Sequence, residues 1–199
     1  NAVLLSDRPQ FDDQLDLNEW AITVAISRAV ALALEFIFTG GGDLLERADQ
    51  QLRYAALIAS SGSHAAWWWI VRLLRLMLRD LGNASPWHVL PPLLGPSSPE
   101  VVGRYVRLLA FAERPIAELW TSQRAALPLA LESGNRGAVI NLRTSAGKTR
   151  VAELAILQTL TADPTARVFY LAPFRSLALE VEQTLSATFS WLGHSVSHL

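Results

Sequence analysis

Residues 138–149 read Ala138-Val139-Ile140-Asn141-Leu142-Arg143-Thr144-Ser145-Ala146-Gly147-Lys148-Thr149. A short apolar run leads into a polar, glycine-containing loop, and helical periodicity follows from Thr149 to Thr161. Asp163-Pro164 breaks that helix, and a second apolar run, Val168 to Ala172, comes after it. Strand, loop, helix and strand within about 35 residues is the size of one right-handed βαβ crossover, so the spacing predicts the start of a parallel sheet. The loop between strand and helix has the residue types that hold a phosphate chain. Backbone N–H groups converge from such a turn, and the positive end of the next helix reinforces them. Gly147 lets an anion approach the backbone, Lys148 brings a compact positive charge, and the Thr149 hydroxyl suits a magnesium ion. Lys148 is the chain's one lysine, beside 16 arginines. By chance roughly one lysine in 140 would have glycine before it and a hydroxyl residue after it. One position departs from the full phosphate-loop pattern: Leu142 stands where glycine or alanine is usual.

Outward from this stretch the text is helical. Upstream, helices are expected over Leu17–Thr39, Asp43–Ser61, His64–Leu81 and Ser98–Glu113, with Gly40-Gly41-Gly42 and Gly82 as stops and Asp43 as an N-cap. Short connections suggest antiparallel neighbours, hence an N-terminal helical bundle or hairpin array. Pro86, Pro91, Pro92, Pro96 and Pro99 predict an extended connector over residues 85–99. A further helix is expected over Ile116–Glu132. The expected class is therefore α-rich α/β: a helical accessory domain at 1–115 and an incomplete βαβ phosphate-loop domain at 116–199. Trp67, Trp68 and Trp69 span about 200° of one helix and call for cover on more than one side. Arg72, Arg75 and Arg79 recur on the same helix, a solvated face partly paired with acids.

Composition sets the bounds. The 199 residues are 51% hydrophobic, carry a net charge of −1 and contain no cysteine. That excludes a disordered chain, a disulfide scaffold and a thiolate metal site, and it argues against a generally basic nucleic-acid coat. The early aspartates leave no room for a secretory leader at the start. Arg28 and Glu35 interrupt the longest apolar run, Ala21–Phe38, which reads as a buried helix rather than a membrane span. A cytoplasmic protein is expected. The start on Asn1 and the end inside an apolar pattern read as the limits of a fragment.

Three stretches together resemble the opening of the first RecA-like domain of superfamily 2 DEAD/DEAH-box helicases: Gln123 upstream of the loop; Thr144 to Thr149 followed by Val151-Ala152-Glu153-Leu154-Ala155-Ile156; and Tyr170-Leu171-Ala172-Pro173-Phe174-Arg175-Ser176-Leu177-Ala178. The resemblance covers 116–199. It implies that Gln123 reads the adenine edge of ATP, because an amide both donates and accepts. It implies that Arg143, Thr144, Ser145, Ala146, Gly147, Lys148 and Thr149 form the ATP phosphate site, with Lys148 and Thr149 serving catalysis and Thr149 binding Mg²⁺. It also implies that Pro173, Arg175 and Ser176 meet a nucleic-acid backbone, positioning a DNA or RNA strand without reading it.

Such a motor needs an acidic pair to hold Mg²⁺ and a second RecA-like domain. Downstream of residue 175 the only acids are Glu180 and Glu182, both in a helical pattern, and Asp12-Asp13 lies far upstream. These 199 residues alone are expected not to hydrolyse ATP. Two other readings stay open, a phosphate-loop phosphotransferase of another kind and a helical interaction module with a vestigial loop. The N-terminal helices are expected to serve as a scaffold packed against the motor or as a docking surface for a protein partner.

Overall fold

The computed structural model describes residues 14–62, 64–94, 99–132, 137–143, 146–163, 165–190 and 193–197. Eight helices are present among them: α1 Gln14–Thr39, α2 Leu44–Ser61, α3 Ala65–Ala84, α4 Pro86–Leu94, α5 Pro99–Ala110, α6 Thr121–Ala130, α7 Lys148–Ala162 and α8 Arg175–Phe189. The chain divides into two compact units, Asn1–Asp80 and Leu81–Leu199.

The first unit is the expected helical array. Small residues let α1 and α2 approach closely: Ala25 and Ala29 of α1 meet a core that also holds Ala48, Leu52, Ala55 and Ala59 of α2 and Val71 and Leu78 of α3. The turn after α1 depends on Gly40, whose φ of +71° no β-carbon-bearing residue adopts cheaply. Its N–H donates to the Phe36 carbonyl at 2.8 Å. Asp43 takes the N-cap position of α2 without a side-chain cap bond. Trp67 and Trp68 pack on the core, whereas Trp69 is exposed, edge-on to Trp68, and Arg72 lies over both rings. Arg75 reaches across from α3 to Asp49 of α2 at 2.7 Å, and Asp49 also accepts from Arg53 at 2.6 Å. Among the described residues α1 alone is long and apolar enough to cross a membrane by length and composition. Its Ile22, Ala25, Ala29 and Phe36 are buried within the protein.

In the second unit the amphipathic helices α4 to α8 share one core, built on Leu90, Leu94, Val102, Tyr105, Val106, Leu109, Leu127, Leu154, Leu157, Leu185 and Phe189. Two sequence expectations are corrected here. The proline-rich stretch is not an extended connector: residues 86–94 form α4, with Pro86 at the permitted first position and Pro91 and Pro92 inside. Leu90 and Leu94 fall on its buried face, and that burial outweighs the hydrogen bonds the two prolines remove. Residues 95–98 lie outside the described set.

The second correction concerns fold class. Among the described residues there is no strand and no sheet, so the expected incomplete RecA-like parallel βαβ domain is not present; the unit is all-helical. Among the described residues the run 138–142 and the run 168–172 have no ladder partner. An apolar run becomes a strand only when a neighbour's N–H and C=O groups meet its own. Here Val139 is 94% exposed and Leu171 91%, so the apolar residues were present but the pairing was not.

Candidate functional site

The loop expected to hold phosphate runs into α7 through Gly147. Its φ of +79° is left-handed, and a β-carbon there would overlap the Gln123 side chain, whose Cδ would lie 2.8 Å away. Glycine is thus required twice, by backbone conformation and by close approach. Leu142, the residue that departs from the phosphate-loop pattern, packs against the core of the second unit and so does not crowd the loop. Thr144 and Ser145 lie outside the described residues. Arg143, Lys148 and Thr149 are exposed.

The start of α6 holds the loop by its carbonyls. The Ser122 hydroxyl donates to the Ala146 carbonyl at 3.1 Å, and Gln123 Nε2 donates to the Gly147 carbonyl at 3.4 Å. Gln123 Oε1 accepts the Trp120 N–H at 2.8 Å, which caps α6. A trans peptide sends each N–H away from the carbonyl before it. With the Ala146 and Gly147 carbonyls turned to α6 and into α7, the Gly147 and Lys148 N–H groups face outward. The first N–H groups of an α-helix have no acceptor within the helix, so this end of α7 suits an anion. Gln123 is buried, and among the described residues its amide makes two bonds, which leaves one N–H and one lone pair beyond them.

Behind the loop lies a network that the motif did not disclose. Glu153 of α7 is fully buried, with Arg150 Nη1 2.6 Å from each of its oxygens. The same Nη1 lies 3.1 Å from the Tyr105 hydroxyl of α5, itself fully buried. The Tyr105 and Thr188 hydroxyls also face the carboxylate. Burial raises the Glu153 carboxyl above the usual range, with Arg150 opposing, and burial raises the Tyr105 phenol too. Burial alone would lower Arg150, but Tyr105 and Glu153 together raise it, so it is held as a cation. The sequence did carry a signal. At about 100° per residue, Arg150 falls within the arc of Val151, Leu154 and Leu157, where a charge needs a buried partner.

Pro173, Arg175 and Ser176 are exposed around the start of α8, where the Phe174 carbonyl accepts the Ala178 N–H at 3.0 Å. No group of three or more histidine, cysteine, aspartate or glutamate side chains gathers among the described residues. The exposed Thr149 hydroxyl therefore fits a magnesium ion only as one ligand among phosphate oxygens and waters, the usual habit of that ion.

An exposed helix start at Lys148, the upstream Gln123 seated on the loop before it and Arg175 at the start of the following helix are what the structure shows at the three stretches. Residues 120–199 match the DEAD/DEAH box helicase family. The Hachiman protein HamB of Bacillus cereus is 39% identical over 174 residues, covering 87% of this chain. That match is more than twice the length of the helicase segment, so the likeness takes in helices upstream of α6. The chain spans about 15% of the length of this curated relative. No solved structure matches.

Proposed function

We propose that this chain supplies the ATP-binding portion of an ATP-dependent nucleic-acid helicase or translocase. The helicase family match supports the general reading. The observation that carries the finer one is the Gly147 turn, whose carbonyls are drawn to Ser122 and Gln123 while Lys148 and Thr149 open to solvent at the head of α7. In this reading Arg143 to Thr149 receive the phosphate chain, with Lys148 as its counter-charge. Thr149 holds Mg²⁺, which when bound neutralises charge on the phosphate oxygens. Gln123 uses its spare N–H and lone pair on the adenine edge. Pro173, Arg175 and Ser176 contact the backbone of single-stranded DNA or RNA, and the N-terminal helices offer a surface to a protein partner. Leu142, half-buried and packed against the core, weighs against the vestigial-loop alternative.

The test is binding of a non-hydrolysable ATP analogue with and without Mg²⁺. Lys148→Ala is expected to weaken binding at least tenfold, because a charge-assisted contact to phosphate is worth about 1.5–3 kcal/mol. Equal affinity in parent and variant would overturn the phosphate assignment. Residues 1–199 by themselves are expected to bind without turnover.

A further inference from the structure

The Tyr105–Arg150–Glu153 network sits two residues from Lys148, and its side chains bond to one another while the Arg150 backbone N–H donates to the Gly147 carbonyl at 3.1 Å. Its position on α7 gives it a use. Successive residues of an α-helix turn by about 100°, so Arg150 points roughly 200° away from Lys148. Fixing Arg150 inward therefore fixes Lys148 outward. Apolar contacts through Val151, Leu154 and Leu157 hold α7 against the core, but they are non-directional and tolerate small rotations about its axis. Arg150 and Glu153 both lie on α7, so their 2.6 Å contacts stay within the helix; the directional tie to the rest of the core is the Tyr105 hydroxyl of α5, 3.1 Å from Nη1 of the half-buried Arg150 and facing the fully buried Glu153 carboxylate. Tyr105 belongs to α5, upstream of the segment that matches the helicase family.

We propose that Tyr105, Arg150 and Glu153 are positioning residues for the nucleotide site: they set the rotation of α7 about its axis, and through it the direction of Lys148 and Thr149. The inference rests on the phosphate-site reading above. It makes α5 part of the support of that site.

Replacing a buried ion pair by apolar side chains of similar volume commonly preserves stability, which separates positioning from mere packing. The experiment compares, in the full chain, thermal melting and affinity for MgATP analogue, inorganic triphosphate and adenosine. The variants are Tyr105→Phe and the triple change Tyr105→Phe, Arg150→Met, Glu153→Leu. The triple variant is expected to melt at or above the parent temperature while losing about tenfold in affinity for the ATP analogue and for triphosphate, with adenosine unaffected. Tyr105→Phe, which keeps the ring in the core, is expected to lose about threefold in the same two ligands. Parent-like triphosphate affinity in a stably folded triple variant would overturn the proposal, as would parent-like affinity in Tyr105→Phe should the triple variant fail to fold. An unaltered affinity in Lys148→Ala would instead sink the phosphate site itself, so the two failures are distinguishable.

Discussion

A single left-handed residue links the motif to its geometry. Gly147 stood out in the sequence because a glycine before the one lysine matched a phosphate loop, and its φ of +79° gives glycine a separate, backbone reason there. Alanine at this position would carry roughly 1–2 kcal/mol of backbone strain and also collide with Gln123. Gly147→Ala is therefore expected to lower the melting temperature and to weaken ATP-analogue binding together, read by thermal melting and titration calorimetry. Ser122 had no such signal, since a serine beside a glutamine is unremarkable text. Only the fold shows its hydroxyl 3.1 Å from the Ala146 carbonyl. Ser122→Ala should cost about 0.5–1.5 kcal/mol of stability, with Ser122→Thr restoring most of it. An unchanged melting temperature in Ser122→Ala would show that the bond does not form in solution.

Helices were legible where periodicity and glycine stops agreed: α1 and α2 fall close to their expected limits, whereas α3 runs through Gly82, its expected stop, to Ala84. Pro91 and Pro92 hid α4, because proline lowers helical propensity locally while burial of Leu90 and Leu94 is decided by distant partners. The same distance hid strand pairing, this time in the opposite sense: residues 138–142 and 168–172 had strand-like composition but, among the described residues, no neighbouring strand. Between α2 and α3, Asp49 shows how an element-level contact responds to pH. Burial alone would raise its carboxyl, but the bonds and charges of Arg75 and Arg53 together hold it below the ordinary value of 3.8. The unfolded chain then binds the proton more readily than the folded one, so this contribution is full above the ordinary range and is lost as pH falls through the lowered value. Both arginines are partly exposed, and the contribution is no more than about 1 kcal/mol. Asp49→Asn should lower the melting temperature at neutral pH, with the gap to the parent closing as the solution is taken below pH 3.8. A gap that persists undiminished in acid would assign the effect to packing rather than charge.

On the scale of the whole molecule, sequence similarity and physical units have different limits. The motifs put the start of the expected nucleotide-binding segment near residue 116, and the helicase match begins at residue 120. The compact unit begins at Leu81. The difference is α4 and α5, which carry no family signature because their task is apolar cover: Leu90, Leu94, Val102, Tyr105, Val106 and Leu109 fill the core on which α6, α7 and α8 pack. Fully burying one such side chain contributes about 1.5–3 kcal/mol, so removing six takes away roughly 10 kcal/mol or more. That is as large as the whole stability of an ordinary domain, about 5–15 kcal/mol. It would also remove Tyr105, leaving the buried Arg150–Glu153 pair without its third partner. Residues 81–199 expressed alone are accordingly expected to melt in one cooperative transition and to bind the ATP analogue, whereas residues 116–199 are expected to show neither property. Circular dichroism melts and calorimetric titration of the two segments would decide it. A cooperative melt and parent-like binding in the shorter segment would mean that the nucleotide site needs nothing upstream of α6, and that α4 and α5 merely lie against a unit that is already complete.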